Sequence, residues 1–265
     1  MLRAVIFDLD DTLIDWSGRQ GDWLTHIKSC LRPIYEYLCG EGRSIPSLDE
    51  LAQAYLKQAH QQWEAVCPPD WVSPHQRDIL GKTLESLQLD PGSLDVDELQ
   101  RLYGWTLIPG VRLFQDTTHV LTTLRAQGIK IGLITNADLP MWMRDTELKI
   151  LGVLEYIDVR LTASDVGHLK PHPAPFREAL NRLGVTPDEA IFVGDRLQDD
   201  VAGAQTAGMR AVWVRRASSP WPSVSEGTDS LKPNATINHL RELISTLDLW
   251  FPGWRSNEAT QSNPV

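Results

Sequence analysis

Short apolar runs separated by stretches of helical periodicity constrain this chain more than any other feature. Arg3 to Asp10, Ile131 to Thr135, Ile157 to Leu161, Ile191 to Val193 and Ala211 to Val214 read as strands. These runs are nearly continuous rather than alternating, which marks strands buried on both faces, the condition of a parallel sheet. Between them lie helical patterns: Val120, Leu121 and Leu124 stop at Gly128, Phe176, Leu180 and Leu183 at Gly184, and Val201 and Ala204 at Gly208. The alternation predicts an α/β fold, a Rossmann-like, doubly wound, mainly parallel sheet.

One segment interrupts that pattern. From Trp16 to about Trp105 the periodicity is helical throughout. Trp23, Ile27, Leu31, Ile34 and Leu38 fall at steps of three and four, with Pro33 expected to kink or divide that helix. Ser47-Leu48-Asp49-Glu50 is a capping-box pattern, followed by a stripe of Leu51, Tyr55, Ala59 and Trp63. Leu80, Leu84 and Leu87 form a third stripe, broken at Asp90-Pro91-Gly92, and Val96, Leu99 and Tyr103 a fourth. The expected organisation is a discontinuous core, residues 1–15 and 109–249, with an inserted all-α domain at 16–108. Residues 217 to 234 read as a surface connection, Asn238 to Leu247 as a last helix, and 250–265 as a flexible tail.

The polar residues that end the strands carry the chemistry, because ligands of open α/β sheets bind beyond the carboxyl ends of the strands. Asp8 ends the first strand and can attack phosphorus directly to give an acyl phosphate. Asp10, two residues on, is placed to protonate the leaving oxygen and later to take a proton from water. Thr12 can hold the turn between them. Thr135 and Asn136 end the second strand, where a hydroxyl and main-chain N–H groups can bind phosphoryl oxygens. Lys170 precedes Pro171-His172-Pro173, a stiff segment suited to presenting an ammonium. Gly194-Asp195, with Asp200 five residues further, supplies hard oxygen ligands beside a close backbone approach. Asp199 competes with Asp200, since only one of two adjacent carboxylates is expected to face the site. Spacing favours Asp200.

Charge then bears on the cofactor. The chain of 265 residues has a net charge of −10 with its basic residues scattered, which disfavours nucleic acid and anionic lipid as partners. Several carboxylates and a phosphate dianion would repel by several kcal/mol per close pair at an effective dielectric of ~20, more than Lys170 alone offsets. A divalent cation, Mg²⁺, held by Asp8, Asp195 and Asp200 is therefore expected. Cys30, Cys39 and Cys67 follow no metal or redox spacing and suit reduced thiols. With no apolar stretch of transmembrane length and no signal-peptide pattern, the expected location is the cytoplasm.

In this order, the Asp-x-Asp-x-Thr motif of Asp8, Asp10 and Thr12, then Thr135, Lys170 and the Gly-Asp-x-x-x-x-Asp motif of Asp195 and Asp200 resemble the haloacid dehalogenase superfamily, over about residues 3 to 214. The branch resembled carries a helical cap inserted after the first strand. The resemblance implies that Asp8 is the nucleophile, Asp10 the acid/base, and that the main-chain carbonyl of Asp10 joins Asp8, Asp195 and Asp200 on Mg²⁺. It also implies a cap that hinges near Asp15 to Trp16 and Ile108 to Gly110 and selects the substrate. Family members that cleave carbon–halogen or phosphonate bonds lack the second Asp, so Asp10 points to a phosphatase or phosphomutase. Arg196 and His172 depart from the residues common in relatives.

The leading expectation is a Mg²⁺-dependent hydrolase of small phosphate monoesters, with a small phosphorylated metabolite as partner. A phosphomutase, such as a sugar-phosphate mutase, uses the same core, and a phospho-ligand-binding protein without turnover is the alternative outside catalysis.

Overall fold

The computed structural model describes residues 1–89, 92, 94–216 and 231–255. Six parallel strands form one sheet in the order β5-β4-β1-β6-β7-β8. They are β1 (Ala4–Phe7), β4 (Lys130–Thr135), β5 (Val159–Thr162), β6 (Ala190–Gly194), β7 (Arg210–Val214) and β8 (Ala235–Ile237). Alternate residues of each strand enter opposite cores. Val5, Phe7, Ile131, Leu133, Ile191 and Val193 pack on one side with Val120, Leu121 and Leu124 of α5 (Thr117–Ala126) and Leu243 and Leu247 of α10 (Glu242–Trp250). Ala4, Ile6, Ile134 and Phe192 pack on the other with Phe176, Leu180 and Leu183 of α8 (Pro173–Leu183). Burial on both faces is what removes polar alternation from the strand sequences.

Four helices lie between the short strands β2 (Ile14–Asp15) and β3 (Arg112–Leu113): α1 (Trp23–Gly40), α2 (Leu48–Glu64), α3 (Gln76–Ser86) and α4 (Val96–Leu102). They bury Ile27, Leu31, Leu38, Leu51, Tyr55, Ile79, Leu84 and Leu99 in a core of their own, joined from the sheet side by Leu139 and Met143. The insert is thus an all-α cap on an α/β core. Ser47 and Glu50 form the expected reciprocal capping box. Pro33 does not divide α1, which runs unbroken through it. The Cys30 carbonyl, on the turn before it, also accepts from the Gly104 N–H at 2.9 Å.

Several boundaries differ from those read off the sequence. The first strand stops at Phe7, because Leu9 to Ile14 closes a tight loop in which Asp11 has φ +59°. The strand expected from Ile157 begins at Val159, after the Ile131 N–H takes the Asp158 side chain. The last helix begins at Glu242 rather than Asn238, since β8 extends the sheet just before it. Trp254 is buried against the core with its indole N–H on Asp248 (2.8 Å), so the chain is anchored as far as Trp254 rather than free from residue 250. A further helix, α6 (Met141–Ile150), had no counterpart in the sequence reading. The expected break at Asp90-Pro91, most of the 217–234 connection, and residues 256–265 lie outside the described residues. Among the described residues no helix is long and apolar enough to cross a membrane, and all three cysteines are free thiols.

The two crossings between core and cap touch backbone to backbone at Gly18 and Gly110. A Cβ on Gly110 would stand 1.9 Å from the Gly18 carbonyl oxygen, and Gly110 has φ +85°. The Gln20 N–H ties the crossings together at Pro109 O, 2.8 Å. Gly110→Ala should therefore cost about 2–3 kcal/mol of stability in a denaturant titration, from strain and overlap together. Gly21→Ala, where φ is +79° but nothing lies within 4 Å, should cost only about 1 kcal/mol. Equal losses in the two variants would show that the close approach does not matter.

Candidate active site

β1, β4 and β6 are the three central strands, and their carboxyl ends deliver Asp8, Thr135 and Gly194-Asp195 to one crevice. The Asp8 N–H extends the ladder to Val193 O (2.9 Å), which fixes its backbone beside β6. Lys170 arrives from the loop before α8. Its main chain is held by Asn136, whose side-chain oxygen accepts from the Lys170 N–H (2.8 Å) and whose amide donates to the Lys170 carbonyl (2.9 Å). The buried ammonium then donates to Asp8 Oδ1 (2.7 Å), Asp200 Oδ1 (2.7 Å) and Ile134 O (2.9 Å). All three of its protons are used.

Asp200 sits on a widened turn, Leu197–Ala202, in which both the Asp200 and Val201 N–H groups reach the Arg196 carbonyl. Such π-type turns are common at functional sites. The Arg196 N–H fixes Asp200 Oδ2 (2.9 Å), while the Arg196 guanidinium pairs with Asp199 (3.3 Å). Asp200, not Asp199, thereby meets Lys170. Gly194 is required beside it, since a Cβ there would lie 2.2 Å from Asp200 Oδ2. Thr12 Oγ1 donates to Asp195 Oδ1 (3.2 Å). His172 caps α8, accepting from the Ala174 N–H, and stacks on His168.

Asp8, Asp195 and Asp200 each bring a carboxylate oxygen within 4.8 Å of the others. At that separation and an effective dielectric of 20, each charged pair repels by roughly 3 kcal/mol. Burial, reinforced by Asp200 and Asp10 against the pull of Lys170, pushes the Asp8 carboxyl up to about 7. Burial with Asp8 and Asp200 pushes Asp195 up to about 9. For Lys170, burial would lower the pKa, but Asp200 and Asp8 outweigh it and hold the ammonium above its ordinary value. Three hard oxygen donors short of positive charge fit a divalent cation such as Mg²⁺.

The other site residues from the sequence fall differently. Asp10 does not direct its side chain at this cluster. Its Oδ1 accepts from the Trp16 indole N–H and from Arg144 Nη2, both 2.8 Å, and its Oδ2 from Thr135 Oγ1 at 2.9 Å. Burial would raise Asp10, yet Arg144, Thr135 and Trp16 together keep it below the usual carboxylate range. A metal contact from this residue is left to its main chain. The side chains of Thr135 and Asn136, expected phosphate binders, here hold Asp10 and Lys170 respectively. Sequence reading missed Arg144 and Glu147 on α6, Trp16, and Arg216, which donates to the carbonyls of Asp11 and Thr12 (both 2.9 Å) and so braces the loop after β1. The one usable signal was a pair of opposite charges three residues apart, Arg144 and Glu147.

A parallel α/β core whose strand ends gather a lysine-bound aspartate and two further carboxylates, beneath a helical insert, is the arrangement of a haloacid dehalogenase-like hydrolase. The haloacid dehalogenase-like hydrolase family model matches residues 2–208, and the chain belongs to that family. It is 28% identical over 249 residues to a glyceraldehyde 3-phosphate phosphatase of Methanopyrus kandleri, covering 93% of this chain and 97% of that one. It is 30% identical over 218 residues to a phosphoglycolate phosphatase of Salmonella typhi, 80% of each. Among solved structures it resembles a 2-haloacid dehalogenase from Pseudomonas syringae (TM-score 0.60, 28% identity, 94% of this chain and 100% of that one). It also resembles a HAD phosphatase from Thermococcus onnurineus (TM-score 0.56, 29% identity, 93% and 98%).

If the carboxylate cluster binds a cation, Mg²⁺ at about 100 times its Kd should stabilise the folded chain by about 2.7 kcal/mol. Gly194→Ala, by displacing Asp200, should abolish most of that gain. Thermal unfolding with and without Mg²⁺ measures both, and an unchanged Mg²⁺ response in Gly194→Ala would contradict the assignment.

Proposed function

We propose that the chain is a Mg²⁺-dependent phosphatase of small phosphorylated metabolites that works through an aspartyl-phosphate on Asp8. The observation that carries this reading is the pairing of Asp8 with Lys170 at 2.7 Å next to a second, separately held carboxylate, Asp10. Lys170 takes Asp8 Oδ1 and leaves Oδ2 as the attacking atom. As the Asp8–phosphorus bond forms and the ester P–O bond breaks, Asp10 gives a proton to the leaving oxygen. Water then attacks phosphorus, its proton passes to Asp10, and the bond to Asp8 breaks. Asp8, Asp195, Asp200 and the Asp10 carbonyl are the proposed holders of Mg²⁺, which when bound would neutralise the charge of the carboxylates and the transferred group.

The cap helices would cover this site, with the division between core and cap at Asp15/Trp16 and Ile108/Pro109. The contact of Gly18 with Gly110 supports a hinge there. The phosphatase names of relatives at 28–30% identity support the reaction class. One structural neighbour is named a dehalogenase, but a departing halide needs no proton, whereas an alkoxide does. The retention of Asp10 therefore favours phosphate esters. The acidic chain and scattered basic residues favour a small substrate over nucleic acid, and the cytoplasm as the place of action suits three free cysteines.

The test is inorganic phosphate release from a panel of small monoesters, including glyceraldehyde 3-phosphate and phosphoglycolate, for the native chain and Asp8→Asn. Release should require Mg²⁺, stop with EDTA, and fall by at least about a thousandfold in Asp8→Asn. Retained turnover in that variant would overturn the mechanism. Formation of an isomeric phosphate ester without net phosphate release would replace it with a mutase.

A further inference from the structure

One buried ion pair has no part in the chemistry above. Arg144 and Glu147 face the same side of α6, one turn apart, with Arg144 Nε 2.5 Å from Glu147 Oε2. Arg144 is almost fully buried and Glu147 completely so. Neither Glu147 oxygen nor Arg144 Nε meets hydrogen-bond geometry, so the two groups are held together as an ion pair. A buried pair of this kind is weak evidence for stability, because well-packed apolar residues of similar volume often do as well or better. Its place in the fold suggests another purpose. The remaining arm of the guanidinium reaches Asp10 Oδ1 at 2.8 Å. Glu147 thus anchors Arg144, and Arg144 anchors Asp10.

Two tryptophans complete the arrangement, one from each crossing between core and cap. Trp16, just after β2, donates to the same Asp10 oxygen at 2.8 Å. Trp105, between α4 and β3, sets its ring 6.0 Å from the Arg144 guanidinium. Thr135 holds the second oxygen from the opposite side. Every fixed donor on Asp10 except Thr135 therefore comes from α6 or from a crossing.

We propose that Arg144, braced by Glu147 and assisted by Trp16, is a positioning residue that aims the Asp10 carboxylate for its two proton transfers. This inference rests on the phosphatase reading above, in which Asp10 delivers a proton to the leaving oxygen and later accepts one from water. It adds that neither transfer is efficient unless α6 holds Asp10 in place. Because one donor comes from a crossing, the aim of Asp10 also depends on how the cap is seated.

The test uses the full chain with Mg²⁺ and 4-nitrophenyl phosphate, whose leaving group departs without a proton. Arg144→Met alone would bury an unpaired Glu147, so the paired variant Arg144→Met/Glu147→Met is made with it, and Trp16→Phe as a variant that keeps the ring. In rapid mixing, the paired variant should still release about one equivalent of 4-nitrophenol per chain in a burst, because formation of the Asp8 phosphate needs no acid with this substrate. Its steady-state turnover should fall about a hundredfold, because water attack needs the base. KM should change little, and an unactivated alkyl phosphate should show neither burst nor turnover. Trp16→Phe should show the same pattern to a smaller degree, and Arg144→Lys should recover part of the turnover.

A merely structural role would reduce burst and turnover together, and that result overturns the inference. So does turnover that is unchanged or raised. Asp8→Asn run in parallel separates the two levels. If it retains turnover, the nucleophile assignment falls and this inference falls with it. If it is inactive while the Arg144 variants match the native chain, only the positioning role is lost.

Discussion

Gathering carboxylates at the ends of adjacent parallel strands is electrostatically unfavourable, and the Lys170 ammonium is what makes it possible here. Its three protons go to Asp8, Asp200 and the Ile134 carbonyl. A single cation thereby ties the ends of β1 and β4 to the turn that follows β6. The rest of the site is arranged to keep that cation and its partners in register. Asn136 clamps the Lys170 main chain, the Arg196 N–H fixes Asp200, and Gly194 leaves the space Asp200 needs. One positive charge against three carboxylates, two of them buried, still leaves a deficit, which shows in the raised positions of Asp8 and Asp195. Asp8 thus lies in a setting that suits a second, divalent cation.

Asp8 and Asp10, in the loop after β1, are separated electrostatically by their surroundings. Asp8 lies among carboxylates and is pushed up, while Asp10 lies against Arg144, Trp16 and Thr135 and is drawn down. Two aspartates only two positions apart in the chain thus occupy opposite electrostatic environments. Arg216 stabilises the loop from outside by binding its carbonyls and stacking on Phe114 at 3.5 Å.

Most of the α/β core was legible in the sequence because its strands are buried on both faces, so Ala4 to Phe7 and Ile131 to Thr135 carry no competing polar pattern. The capping box at Ser47 was equally plain. The gathering of Asp8 and Asp195 followed from their places at strand ends, and that of Lys170 and Asp200 from their order and spacing relative to them. What escaped was α6, and for a physical reason. Its buried residues include Arg144 and Glu147 along with Met141, Met143 and Leu148, so its hidden face is not apolar and hydrophobic periodicity cannot find it. For the same reason the partners of Asp10 were invisible. The clamp of the Asn136 side chain on Lys170 was not legible, because a side chain that grips a backbone 34 positions away leaves no local trace.

The contact between Gly18 and Gly110 has a consequence for the architecture as a whole. The helical insert leaves the sheet and returns to it at nearly the same point, so the sheet spends no chain spanning the gap. To the core, everything between the two glycines is a closed excursion. Its length enters folding only through a loop-closure term that grows slowly, by about 0.6 kcal/mol per doubling. A core built this way can exchange one lid for another of different size or sequence while its catalytic strands keep their spacing, which makes the doorway, rather than the lid, the fixed part of the design.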